Sequence, residues 1–315
     1  MPELKLRIVT RTQGNNKALK DGTVKPRTCD LEFVEVDPLI DAFRGMVRGL
    51  EFDVCEMAIT TYITARAHGK RFIGLPMFLG RAFHHGAIVY NTKSGIKSPK
   101  DLEGRRVGVN RGYTVTSGVW ARAVLQHQYG VDLDTITWVL SGDEHVAEYR
   151  PPSNVVPIEN GAKMADLVAS GELPAAIGLE IKSPDVKPLI TNAAEAGLEA
   201  LRSRSHYPIN HLIVVKDELL DAHADLAPDI FNVFAEAKRD YIRRLRGGEI
   251  QNPTRVDDLH RQVMDITGRD PLPYGIAPNR QALEEIIQYT LEQRILARPL
   301  TVEELFPPNT HALAG

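Results

Sequence analysis

The sequence predicts an α/β protein with mostly parallel sheets, and three observations carry that prediction. Short apolar runs alternate with stretches whose apolar residues recur at helical spacing. Glycines stand at the ends of several of those stretches, where helices stop. A device of short helix, glycine and apolar strand occurs twice, as DAFRGMVRGLEFDVCEM (41–57) and AKMADLVASGELPAAIGL (162–179). Two similarly built lobes would leave such a weak internal repeat.

In chain order, LKLRIV (4–9) reads as the first strand, a polar Gly-containing segment follows, and CDLEFVEV reads as the second strand. Asp37 as N-cap and Pro38 at the first helical position open a helix with Leu39, Ile40, Phe43, Met46, Val47 and Leu50 on one face, ended by Gly49. FDVCEM is the next strand, Thr60 caps a helix through Ala67, and RFIGLPMFL is another strand. SPKDLEGRRVGVN (98–110) is a capped turn running into a strand. RGYTVTSG then starts a helix with Val119, Trp120, Ala123, Val124 and His127 on its apolar face, closed by Gly130. A strand feeding a Gly- and Thr-containing helix start presents free backbone N–H groups to an anion. The last third is helical. Residues 228–246 place Phe231, Phe234, Ala237, Tyr241 and Leu245 on one face, and 279–295 do the same with Leu283, Ile286, Ile287 and Leu291.

At 315 residues, with 43% hydrophobic and 25% charged residues, the chain is long enough for a substantial core and two lobes. Its 38 Lys and Arg against 41 Asp and Glu give a net charge of −3, which argues against nucleic acid or anionic lipid as partners. No apolar run approaches the roughly 20 residues of a membrane span. The opening MPELKLRIVTRTQG lacks the apolar core of a secretory signal, so a cytoplasmic protein is expected. Cys29 and Cys55, 26 positions apart without a CxxC, fit a reducing compartment and exclude a zinc cluster.

SPKDLEGRRVGV, the Gly/Thr-rich helix start and the GELPAAI turn together resemble the type II periplasmic-binding-protein fold over roughly residues 50–180. Pro174 departs from the Asp often found before the second strand of that fold. FDVCEMAITTYITAR (52–66), RAFHHGAIVYN (81–91), PYGIAPNRQALEEIIQYTLEQRIL (273–296) and LTVEELF (300–306), in that order, resemble the 4,5-dihydroxyphthalate decarboxylase family over nearly the whole chain. The resemblance implies a two-lobed fold with a ligand cleft between the lobes. It also implies a cytoplasmic carboxy-lyase that removes one carboxylate from a dihydroxylated aromatic dicarboxylate, 4,5-dihydroxyphthalate, to give protocatechuate.

Such a decarboxylation needs a phenol or phenolate para to the departing carboxylate, an acid to protonate the ring carbon, and cations to hold the substrate. No electron-sink cofactor is needed. Arg81, His84 and His85 form the densest set of suitable groups. On a strand Arg81, Phe83 and His85 share a face, which favours His85 over His84 as the acid. Glu56 closes FDVCE at the carboxyl end of its strand, placed to bind a catechol hydroxyl, orient a histidine or complement a helix start. Arg11, with Thr12, Gln13 and Asn15 around it, follows the first strand, and Arg111, Tyr113, Thr114, Thr116 and Ser117 hold the corresponding place in the second lobe. Arginine matches a carboxylate in two parallel hydrogen bonds. Asp143, Glu144, His145 and Glu180 follow later strands, and His206 and His211 flank the chain's return, His211 being either a second candidate acid or a buried structural histidine.

The expected arrangement is lobe 1 from residues 1–92 and 209–315, with lobe 2 from 93–208. Arg81 and Arg111 would bind carboxylates, His85 or His84 would donate the proton, and Glu56 would engage the hydroxyls. No cofactor is expected and no obligatory metal, although the His and carboxylate content is compatible with a divalent ion. NAD and ATP are disfavoured, because GVNRGY is no dinucleotide fingerprint. The rival reading is a non-catalytic receptor or sensor for a small aromatic or other organic anion. A thiamine-pyrimidine-type synthase is a third reading, weakened by the absence of a cysteine-rich stretch. The amphipathic C-terminal helices suit packing on their own lobe or across a homo-oligomer.

Overall fold

Two mixed sheets organise the chain, one in each of two units. The structure is a computed structural model and describes residues 4–159 and 161–315. The first unit comprises Met1–Arg81, Ile209–Ile287 and Leu300–Gly315, and the second Ala82–Pro208 and Gln288–Pro299.

The strands are β1 (Lys5–Val9), β2 (Asp30–Phe33), β3 (Val54–Ala58), β4 (Phe72–Arg81), β5 (Ile88–Asn91), β6 (Arg106–Val109), β7 (Thr137–Leu140), β8 (Val155–Pro157), β9 (Ala175–Ile177), β10 (Val186–Pro188) and β11 (Ile209–Lys216). The helices are α1 (Lys17–Lys20), α2 (Leu39–Gly49), α3 (Ile59–Ala67), α4 (Thr116–Tyr129), α5 (Met164–Ser170), α6 (Ala193–Arg204), α7 (Asp217–Ala222), α8 (Leu226–Arg246), α9 (Arg255–Thr267) and α10 (Arg280–Glu292).

In the first unit the strand order is β2-β1-β3-β11-β4. β1 is parallel to β2 and β3, whereas β11 runs antiparallel between β3 and β4. All five residues of β3 are buried, as a strand covered on both faces requires. Leu6, Ile8, Val54, Leu75, Met77, Ile213 and Val215 from the sheet pack in one core with Ile230, Phe231 and Phe234 of α8. The helical spacing read in α2 is realised, with Leu39, Ile40, Phe43, Met46 and Val47 all buried. Its cap is Pro38 rather than Asp37, and it ends at Gly49 as the sequence indicated, with Leu50 just beyond in a left-handed backbone that sends its N–H back to the Met46 carbonyl. α3 likewise begins at Ile59, with Ala58 rather than Thr60 at its cap.

The second unit's sheet has the order β10-β5-β9-β6-β7-β8, parallel from β9 to β8 and antiparallel at β5. α4 buries Val119 to Leu125 without a break, including the charged Arg122. Among the described residues no helix is long and apolar enough to cross a membrane.

Candidate active site

Strand pairing in the first unit assembles a charged cluster where the chain leaves β1 beside the middle of β3, since Glu56, expected to close its strand, is followed within β3 by Met57 and Ala58. Parallel pairing sets Val9 against Cys55, so the next residues, Thr10 and Arg11, reach Glu56. The Thr10 hydroxyl donates to Glu56 Oε2 at 2.6 Å, the Arg11 backbone N–H at 3.0 Å and the Gln13 side-chain amide at 3.4 Å. On the opposite side β11 sets Ile213 against Glu56 and His211 against Ala58, making His211 the diagonal neighbour of Glu56. His211 Nδ1 lies 2.6 Å from Glu56 Oε1, and Arg11 Nη2 lies 3.5 Å from the same oxygen and 3.2 Å from Nδ1. The β11–β4 register slips on both sides of His211, and such irregularities re-aim side chains.

Glu56 is fully buried, while the side chains of Arg11 and His211 remain 54% and 18% exposed. Burial pushes the Glu56 carboxyl upward, but the hydrogen bond and charge of His211, with Arg11 and Thr10, outweigh it and hold the pKa below its ordinary value. The group is therefore a carboxylate at neutral pH. The turn that follows is tied down: Asn16 Nδ2 donates to Thr10 Oγ1 and the Arg11 carbonyl, and Asn15 Nδ2 to the Leu79 carbonyl. Gly14 lets this turn lie against Tyr241 of α8, where a Cβ would overlap the ring.

The segment Arg81–His85 corrects the strand expectation. β4 ends at Arg81, and His85 opens a short 3-10 turn, His85–Ala87, so strand alternation does not order these side chains. Arg81 is buried in the first unit, where its guanidinium donates to Asn279 Oδ1, and Asn279 is itself held by the Pro273 and Gly275 carbonyls. His84 and His85 belong to the second unit and are both buried. His85 Nε2 lies 2.8 Å from Gln128 Oε1, Nδ1 is buried with no hydrogen-bond partner among the described residues, and burial lowers its pKa.

In the second unit, Glu144 occupies the backbone donors ahead of α4. Its carboxylate accepts from the N–H groups of Tyr113 and Thr114 and, at 2.6 Å, from the Thr114 hydroxyl. An internal anion therefore fills part of the site the sequence offered to a ligand. Arg111 is exposed, with its N–H donating to Ser141 Oγ. Thr116 is buried at the first position of α4, Ser117 follows it half-buried, and Glu180 is exposed. Arg122 is fully buried, bonded to Gln293 Oε1 and the Tyr113 carbonyl, and stacked 3.8 Å from the Tyr113 ring. Nothing in the local sequence around Thr10, Arg122 or Gln128 marked these three, since each acts through a partner distant in the chain. Among the described residues no group of three or more His, Cys, Asp or Glu side chains is arranged to hold a metal ion.

The fold is that of the periplasmic binding proteins. An alkanesulfonate-binding protein of Xanthomonas axonopodis pv. citri superimposes with a TM-score of 0.53 at 13% identity, over 98% of this chain and 99% of that one. The family model described as NMT1/THI5 like matches residues 58–150. A 4,5-dihydroxyphthalate decarboxylase of Comamonas testosteroni is 29% identical over 98% of both chains. A second, of Pseudomonas putida, is 33% identical over 56% of this chain and 71% of its own. The chain belongs to the 4,5-dihydroxyphthalate decarboxylase family and is a carboxy-lyase.

Proposed function

We propose that the chain removes one carboxylate from 4,5-dihydroxyphthalate, giving protocatechuate and carbon dioxide. The observation that carries this reading is the Arg11–Glu56–His211 cluster, in which an accessible guanidinium stands beside a histidine backed by a buried carboxylate. Arg11 spends Nη2 within the cluster, while Nε and Nη1 have no partner among the described residues and are available to a substrate carboxylate. The hydroxyl para to the departing carboxylate supplies the electron pair that makes the ring carbon basic, so the protein must bind, orient and protonate. Membership of a decarboxylase family supports the same assignment.

The test is incubation of the purified, chelator-treated chain with 4,5-dihydroxyphthalate, following product by absorbance and mass, and repeated with divalent metal restored. Protocatechuate accumulating over many turnovers is the expected result. A raised melting temperature without product in either condition would replace the reading with a binding protein, and neither effect would mean that the substrate class is wrong.

A further inference from the structure

We propose that His211 delivers, from Nε2, the proton that replaces the departing carboxylate, with Glu56 as the residue that positions it. The inference rests on the decarboxylase reading above and names the group that does the chemistry.

The tautomer follows from the contacts. Nδ1 has two close neighbours, Glu56 Oε1 at 2.6 Å and Arg11 Nη2 at 3.2 Å. A ring nitrogen carrying hydrogen cannot also accept, and the shorter contact to a charged acceptor prevails, so Nδ1–H donates to Glu56. The exchangeable proton is then on Nε2, which makes no hydrogen bond among the described residues on a side chain that retains some exposure. Phe43 meets the ring edge-on, with centroids 5.4 Å apart, and fixes its plane. Arg11 beside the ring would seat a carboxylate next to the donor.

His85 is less suited: it is fully buried, Nε2 is committed to Gln128, and burial favours its neutral form.

The step balances. The imidazolium N–H bond breaks as a C–H bond forms at the ring carbon bearing the carboxylate. The carbon–carboxylate bond then breaks, its electron pair returns to the ring and carbon dioxide leaves. Nothing is oxidised or reduced, and water reprotonates the imidazole.

His211→Ala and Glu56→Gln, each as the full chain, test this with 4,5-dihydroxyphthalate. The charged groups facing the ring are Glu56 and Arg11, whereas Phe43, Ala58 and Gly80 around it do not titrate. His211→Ala is expected to lower kcat by about 10²- to 10⁴-fold. Its KM should change little, and added imidazole should restore turnover. Glu56→Gln weakens the acceptor that orients the ring, so kcat should fall while KM changes little, and Glu56→Asp, which keeps the carboxylate, should recover part of the loss. His211→Gln serves if the alanine variant does not fold. Unchanged kcat in the His211 variants, or imidazole rescue of His85→Ala instead of His211→Ala, would overturn the assignment while leaving the decarboxylase reading intact. A wild-type chain that makes no protocatechuate would overturn both.

Discussion

His211 Nδ1 lies 2.6 Å from Glu56 Oε1 although 155 positions separate the two residues in the chain. Antiparallel pairing of β11 with β3 brings them together on one sheet face, and parallel pairing of β3 with β1 adds Thr10 and Arg11. A fully buried carboxylate would be costly alone. Here its hydrogen bonds to Thr10, Arg11, Gln13 and His211 keep it ionised, and it in turn holds an imidazole in one orientation.

Arg11 is expected to set substrate affinity. Losing a charge-assisted hydrogen bond costs about 1.5 to 3 kcal/mol, so Arg11→Ala should raise KM roughly 10- to 100-fold. Arg11→Lys should recover only part of that, because an ammonium cannot reproduce the guanidinium fork. Steady-state kinetics over a range of 4,5-dihydroxyphthalate concentrations measures this, and an unchanged KM would remove Arg11 from the substrate site.

Stability should fall on acidification through His260. Burial lowers its pKa from 6.5 to about 4, and the Tyr241 hydroxyl lies 2.8 Å from Nδ1 while donating to Asp257. A depressed folded-state pKa means that the unfolded chain takes up the proton first. The stabilisation is whole above about pH 6.5 and is lost as pH falls towards 4, amounting to on the order of 3 kcal/mol. Urea denaturation of wild type and His260→Asn at several pH values should show a shallower slope for the variant in that window. Parallel slopes would contradict the assignment.

Gly14 links the core helix α8 to the turn behind Arg11. Gly14→Ala would drive a methyl group into the Tyr241 ring, an overpacking that costs about 1 to 3 kcal/mol. The displaced turn carries Gln13, so KM should rise along with the loss of stability. Denaturation and kinetics on the same preparation check both, and a variant of wild-type stability would show that the turn yields freely.

Elements set by local spacing were legible in the sequence. The apolar face of α2, from Leu39 to Val47, and that of α8, from Phe231 to Leu245, are buried as their periodicity required. Arg11 was placed correctly just past the carboxyl end of β1, because an apolar run followed by polar residues marks that edge of a parallel sheet. Glu56, read as closing FDVCE, instead lies in the middle of β3, which continues through Met57 and Ala58. The geometry of Arg81–His85 was not legible. Nothing between Leu79 and His85 announces that β4 stops at Arg81, and the departure depends on pairing with β11, over a hundred residues away. Arg122 escaped notice because a charge within an apolar helical stretch reads as its solvent edge, whereas Gln293 and Tyr113 complete its bonding from distant segments. Glu144 reads locally as a turn residue, and only the fold sets it against Tyr113 and Thr114.

The most direct measurement uses 4,5-dihydroxyphthalate labelled with carbon-13 in its carboxylates, mixed with the purified chain in deuterated water and followed by NMR. One labelled carbon dioxide or bicarbonate should appear for each protocatechuate, with a single deuterium on the ring carbon that carried the lost carboxylate, over many turnovers. Resonances that shift on binding while the label stays on the ring would contradict it, leaving a chain that binds this dicarboxylate and performs no chemistry on it.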